Sequence, residues 1–105
     1  MKIKVPSQIQ FGSHTYKIFL KDIFDDDSDG DALHLEQEIL IRAKIPSSRK
    51  ASVLIHEVIH IVSRVFPTQL GERDVDCLGE GLSQFLFSDL GIELGWSGIK
   101  TKSMH

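Results

Sequence analysis

Residues 53–65, VLIHEVIHIVSRV, constrain the fold most, because they divide into an apolar and a polar side when wound as one helix. At about 100° per residue, one arc collects the apolar side chains Ala51, Leu54, Ile55, Val58, Ile59, Ile61, Val62, Val65 and Phe66. The other arc holds Arg49, Lys50, Ser52, His56, Glu57, His60, Ser63 and Arg64, with Val53 among them. The pattern predicts a helix over 47–66, begun by N-cap hydroxyls at Ser47 or Ser48 and ended before Pro67. Its apolar side faces a core, and its histidines face a cleft or solvent.

The chain before this helix alternates in the manner of β-strands. Apolar residues from Ile3 to Phe11 alternate with polar ones, and 15–20 (TYKIFL) is rich in β-branched and aromatic residues. Residues 32–35 and 39–42 predict a hairpin that turns at 36–38, with one side formed by Leu33, Leu35, Ile39 and Ile41. A second helix follows at 72–90. We therefore expect an α+β fold, in which a small, twisted, mainly antiparallel sheet of three to four strands packs on the two helices.

The 105 residues have room for one domain. We place it at 1–96, with strands in 1–45, the helices at 47–66 and 72–90, and a frayed tail at 97–105. A formal net charge of −3 without a basic block argues against nucleic-acid binding. There is one cysteine and no apolar run of about 20 residues, so we expect no internal disulfide, no membrane span and a cytoplasmic location.

The second helix shows two stripes at helical spacing. Its predicted core stripe is Val75, Leu78, Leu82, Phe85 and Leu86, and its polar stripe is Asp76, Glu80, Ser83 and Gln84. Gly91 is the expected C-cap. Gly79 and Gly81 each cost about 1 kcal/mol inside a helix, which suggests close approach of another backbone. The first helix is the expected neighbour.

The polar arc of the first helix contains the pattern HExxH at His56, Glu57 and His60. Imidazoles four residues apart lie on one helical face and can bind one metal ion. A catalytic zinc takes three protein ligands and leaves a position for water. No histidine follows at the spacing of the longer motif HExxHxxGxxH, because position 66 is Phe66.

A carboxylate is therefore the expected third ligand, from the set Glu72, Asp74, Asp76, Glu80, Asp89 and Glu93. We choose Glu80 for its polar face and flanking glycines. Asp76, one turn earlier, is the alternative, and whichever of the two is not the ligand is expected to hydrogen-bond a histidine.

These residues resemble the gluzincins, in which HExxH lies on one helix and a ligand glutamate on the next. The order of strands, hairpin and two helices over 1–96 is similar to small phage and prophage zincins related to the ImmA/IrrE metallopeptidases. The resemblance implies one Zn²⁺ per chain, held by His56, His60 and Glu80, with Glu57 as general base. The chain departs from longer gluzincins because it lacks a downstream His or Tyr to stabilise the transition state.

The expected function is hydrolysis of a peptide bond in a peptide or protein by a zinc-activated water. An extended substrate would pair with the edge of the hairpin at 32–42. Candidates for stabilising the oxyanion are His34, Tyr16 and Arg64. The alternative is a catalytically weak or inactive zinc-stabilised module that binds a partner protein.

An acidic stretch at 25–36 also fits the calcium loop of an EF-hand, with Asp25, Asp27, Asp29, Gly30 and Glu36 at the ligand and turn positions. The flanking segments read as strands rather than helices. We therefore prefer a solvated acidic turn, with calcium binding at Asp25, Asp27 and Asp29 as the lesser hypothesis.

Overall fold

A computed structural model describes residues 1–22, 24, 27–66 and 68–102. In this part the chain is an α+β fold with two α-helices and a mixed sheet of five strands. The helices are α1 (Ser47–Val65) and α2 (Glu72–Ser83), and α2 continues directly into a π-helical segment, Gln84–Asp89. The strands are β1 (Lys2–Lys4), β2 (Gln8–Phe11), β3 (His14–Lys21), β4 (Gly30–Leu33), β5 (Glu38–Arg42), β6 (Glu93–Gly95) and β7 (Thr101–Lys102).

The main sheet has the order β2-β3-β5-β4, and β7 pairs with the end of β3. β3 runs parallel to β5 and β7, whereas the β2/β3 and β4/β5 pairs are antiparallel. β1 and β6 form a separate parallel pair. The prediction of a mainly antiparallel sheet with three to four strands is therefore wrong. Alternation identifies strands but not their neighbours, and the chain places β5, with its fully buried Ile39 and Ile41, between β3 and β4.

The predicted hairpin is confirmed, since β4 and β5 pair with Ala32 opposite Ile39. Gln37, with φ of 57°, lies in the turn. Leu35 is 94% exposed, contrary to the prediction. The reason is that β4 ends at Leu33, so the strand alternation does not extend to Leu35.

The core lies between α1 and the main sheet. It contains Val5, Phe11, Tyr16, Ile18, Ile39, Ile41, Leu54, Ile61 and Ile99. Because Ile99 is buried and β7 follows it, the packed fold extends beyond the predicted boundary at residue 96. The last three residues of the predicted tail, including His105, lie outside the described residues.

α1 has nearly the predicted bounds, but its N-cap is Pro46 and no side chain caps it, so the expected serine cap is wrong. α2 is capped by Asp74, whose carboxylate accepts a hydrogen bond from the Gly71 N–H at 3.0 Å. Gly91 has the positive φ, 68°, expected beyond a helix end. Neither helix of the described residues is long and apolar enough to cross a membrane.

The predicted core stripe of α2 is wrong for three of its five residues, and Leu86 is half-buried. Val75 is buried, whereas Leu78 and Leu82 are 44% exposed and Phe85 is 51% exposed. The sheet occupies the apolar arc of α1, so α2 packs beside the polar arc, and its buried residues are Val75, Gly79 and Ser83. As predicted, Gly79 faces α1: a Cβ there would lie 3.7 Å from the Cα of His56. Gly81 has no such neighbour within 4 Å.

Candidate active site

The two histidines of α1 lie side by side at the polar surface of the helix. Their Nε2 atoms are 3.0 Å apart, and the ring planes meet at 74° with centroids separated by 4.7 Å. The spacing of four residues produces this proximity within a single helix. Two imidazole nitrogens that face each other this closely can share a proton or donate their lone pairs to one cation.

Glu57 is a buried carboxylic acid, only 8% exposed, between α1 and β4. Burial is the largest cause that raises the pKa of Glu57 from 4.5 to about 7, followed by the negative charges of Asp31 and Glu72. The absence of a side chain at Gly30 allows β4 to approach α1, since a Cβ at Gly30 would overlap Val53 Cγ1 and lie 3.4 Å from Glu57 Cγ. The fold thus holds a proton-accepting group at the inner wall of the site.

Two carboxylates of α2 lie beside the histidines. Asp76 Oδ1 is 3.5 Å from His56 Nδ1, and Glu72 Oε1 is 3.8 Å from His60 Nε2. Glu80 lines the adjoining groove with His56 but forms no hydrogen bond or ion pair with either histidine in the described part of the chain. Residues 72, 76 and 80 share one helical face, so spacing alone did not reveal that Glu72 is the one beside His60.

The donor atoms of the site are not arranged as a complete metal shell. Among the residues the structure describes, no group of three or more His, Cys, Asp or Glu side chains is placed to hold a metal ion. The Nε2 atoms of His56 and His60 supply two donors at a separation that one metal ion could bridge. The geometry of this pair, with a carboxylate beside each ring, suits a divalent cation that prefers nitrogen and oxygen ligands.

His34, in the β4–β5 turn, lies on the His60 side of the site. Its Nδ1 is 3.0 Å from the hydroxyl of Tyr16, a core residue that is 3% exposed. Burial, then the positive charges of Arg64 and His60, lower the pKa of His34, and Asp31 opposes them. All three residues predicted to stabilise an oxyanion are therefore in one neighbourhood. Tyr16 contacts the site only through the ring of His34, as far as the described side-chain hydrogen bonds show.

A groove of about 760 Å³ extends from His56 and Glu57 along the first half of α1 and the second half of α2. Its walls also include Ser28, Asp29, Gly30, Ser48, Arg49, Ser52, Val53, Asp76, Gly79, Glu80, Ser83, Gln84, Phe87 and Ser88. β4 is the edge strand of the main sheet on this side and lies against α1. The groove and the edge of β4 therefore both lie beside Glu57.

The acidic stretch is built differently from an EF-hand. Strands β3 and β4 flank it, and Asp29 forms ion pairs with Arg42 (3.2 Å) and Arg49. This carboxylate therefore connects β5 to the start of α1. Asp27 is exposed, and Asp25 lies outside the described residues.

Comparisons with known proteins give no relative from which to take a function. No protein-family model matches the chain, and no curated protein or solved structure is significantly similar to it.

Proposed function

We propose that this protein is a zinc-dependent metallopeptidase with a zincin-like active site. The observation that carries the proposal is the pair of His56 and His60 Nε2 atoms, 3.0 Å apart, next to the buried carboxyl group of Glu57. If the polar face of α1 were merely solvated, its carboxyl group would be expected to lie in water rather than to be buried beside two paired imidazoles. The cost of that burial is easier to understand if the group takes part in chemistry.

The proposed zinc ligands are His56, His60 and Glu72. Glu72 replaces Glu80 as our preferred third ligand, because its carboxylate already lies 3.8 Å from the Nε2 of His60. Asp76, on the Nδ1 side of His56, would accept the ring proton and leave Nε2 free for the metal.

Zinc, when bound, would supply a Lewis acid that polarises the scissile carbonyl and acidifies a water. Glu57 accepts a proton from the attacking water at its carboxylate and delivers it to the leaving amine. His34, held through Nδ1 by Tyr16, presents its other ring nitrogen as a hydrogen-bond donor to the developing oxyanion. The open edge of β4 pairs with the substrate backbone.

Zinc analysis after dialysis tests the ligand set. We expect one zinc per chain in the wild type and in Glu57→Gln, and loss of zinc in His60→Ala. Glu72→Gln should weaken zinc binding by more than about 100-fold, the upper range for an outer partner. Glu80→Gln is the matched control on the same helix and should keep the metal. Loss of zinc in Glu80→Gln with retention in Glu72→Gln would show that Glu80, and not Glu72, is the third ligand.

Hydrolysis is tested with a peptide library and mass spectrometry. The wild type should cleave peptide bonds, and the zinc-loaded Glu57→Gln protein should be slower by at least about 100-fold, the scale of general base catalysis. Equal rates would show that Glu57 has no catalytic part.

A zinc-stabilised module that binds a partner protein is the second candidate. The exposed apolar side chains of Leu78 and Leu82 in α2 and of Phe85 in the π-helical segment favour it. One zinc per chain without any cleavage of peptides would select this candidate over the peptidase.

A further inference from the structure

The groove beyond the histidine pair contains a hydrogen-bonding group that the protein itself does not satisfy. Ser83 lines the groove and is only 8% exposed, yet its Oγ has no hydrogen-bond partner within the described chain. Serine inside a helix commonly bonds the carbonyl four residues earlier, and here it does not. A buried hydroxyl without a partner destabilises the free protein. Because Oγ is itself shielded from solvent, a polar ligand group in the groove removes that cost when the Ser83 side chain turns toward the groove, a rotation about one bond.

The charges along the groove favour a cation. Arg49 is the cationic residue among those that line it, and its guanidinium is ion-paired with Asp29. Asp76 and Glu80 add negative charge, and within the described residues the carboxylate of Glu80 forms neither an ion pair nor a hydrogen bond. The potential in this part of the groove is therefore negative, on the side of the histidine pair away from Glu72.

The side chains that line the groove near Glu80 offer hydrogen-bond acceptors and apolar surface to a long basic residue. The carboxylate of Glu80, the hydroxyl of Ser83 and the amide oxygen of Gln84 can each accept one of the three N–H bonds of an ammonium group. Phe87 and Val53 line the same groove and offer apolar surface to a methylene stem. The π-helical segment that begins at Gln84 is a geometry that occurs often at functional sites.

We infer that this groove is a subsite for the lysine or arginine side chain of a bound peptide, with Glu80 as its counter-charge and Ser83 as a buried hydrogen-bond partner. The inference rests on the proposed peptidase function, because it assigns part of the substrate of that site. It also gives Glu80 a role that excludes metal ligation.

Peptide binding tests the subsite without requiring catalysis. A set of fluorescein-labelled peptides would share one sequence except for a single lysine, placed at a different position in each peptide. Each would have a control peptide with norleucine in place of that lysine. All would be titrated with zinc-loaded Glu57→Gln protein. At one position lysine should lower Kd about tenfold relative to norleucine, the worth of one charge-assisted hydrogen bond. Adding Glu80→Gln should abolish this ratio, and adding Ser83→Ala should reduce it. Asp89→Asn, which removes an exposed carboxylate outside the groove, should preserve it.

The outcomes separate this inference from the proposed function. No position with a lysine preference, or a preference that survives Glu80→Gln, would overturn the subsite. Cleavage of the same peptides by the wild type without any preference for lysine or arginine would support the peptidase and refute the subsite. A lysine preference lost in Glu80→Gln, without cleavage, would support the subsite and refute the peptidase. Loss of zinc in Glu80→Gln would also refute the subsite, because Glu80 would then be a ligand.

Discussion

Glu57 should make the stability of the metal-free protein depend on pH, and Glu57→Gln should remove that dependence. The folded state raises the pKa of Glu57 from 4.5 to about 7, so folded Glu57 retains its proton between these values while the unfolded chain loses it. Because the folded state then binds more protons, the free energy of unfolding falls as pH rises through this window. Below this pH window Glu57 is neutral in both states, so its ionisation does not lower the free energy of unfolding. Above the window the free energy of unfolding is lowered by the full amount.

The size of the effect follows from the same values. Each pKa unit corresponds to about 1.4 kcal/mol, so the difference between 4.5 and about 7 amounts to about 3 kcal/mol. Most of this cost, about 2.5 kcal/mol, develops between about pH 5 and pH 8. Glutamine is neutral throughout and similar in shape. The stability of Glu57→Gln relative to the wild type should therefore increase by about that amount across the interval.

Urea denaturation with a metal chelator, followed by circular dichroism at both pH values, measures the change. Taking the difference between variant and wild type cancels the titration of the other carboxylates. Glu36→Gln, an exposed carboxylate in the β4–β5 turn, is the control and should give the same small difference at both pH values. A stability difference for Glu57→Gln that does not increase from pH 5 to pH 8 would refute the burial argument.

Three further changes test the packing around the site by urea denaturation. Gly30→Ala should destabilise the protein by about 1–3 kcal/mol through overpacking against Val53. The double variant with Val53→Ala should recover part of this loss, and strictly additive effects of the two substitutions on stability would contradict the contact. Gly81→Ala should raise stability by about 1 kcal/mol, because an exposed helical position with open space gains from a better helix former; a loss would mean that the position is not open. Tyr16→Phe should cost about 1 kcal/mol through the hydrogen bond to His34, whereas unchanged stability would show that this bond contributes nothing.

The features that the sequence predicted well are local ones. The bounds of α1, its division into two arcs and the meeting of His56 with His60 depend on helical periodicity within a few residues. The β4–β5 hairpin is local in the same way. The approach of Gly79 to α1 was also predictable, because a glycine that weakens a helix interior commonly marks a close contact.

Only the tertiary structure decided how these pieces combine. The sequence specified two arcs on α1 and two stripes on α2. The sheet covers the apolar arc of α1, and that is why α2 packs beside the polar arc through Val75, Gly79 and Ser83, a face that belongs to neither stripe alone. The same packing determines that Glu72, not Glu80, lies beside His60, because three carboxylates at intervals of four residues are equivalent until the helices meet. The close fit of Gly30 over Val53, which buries Glu57, joins residues distant in sequence, and no periodicity within one segment could reveal it.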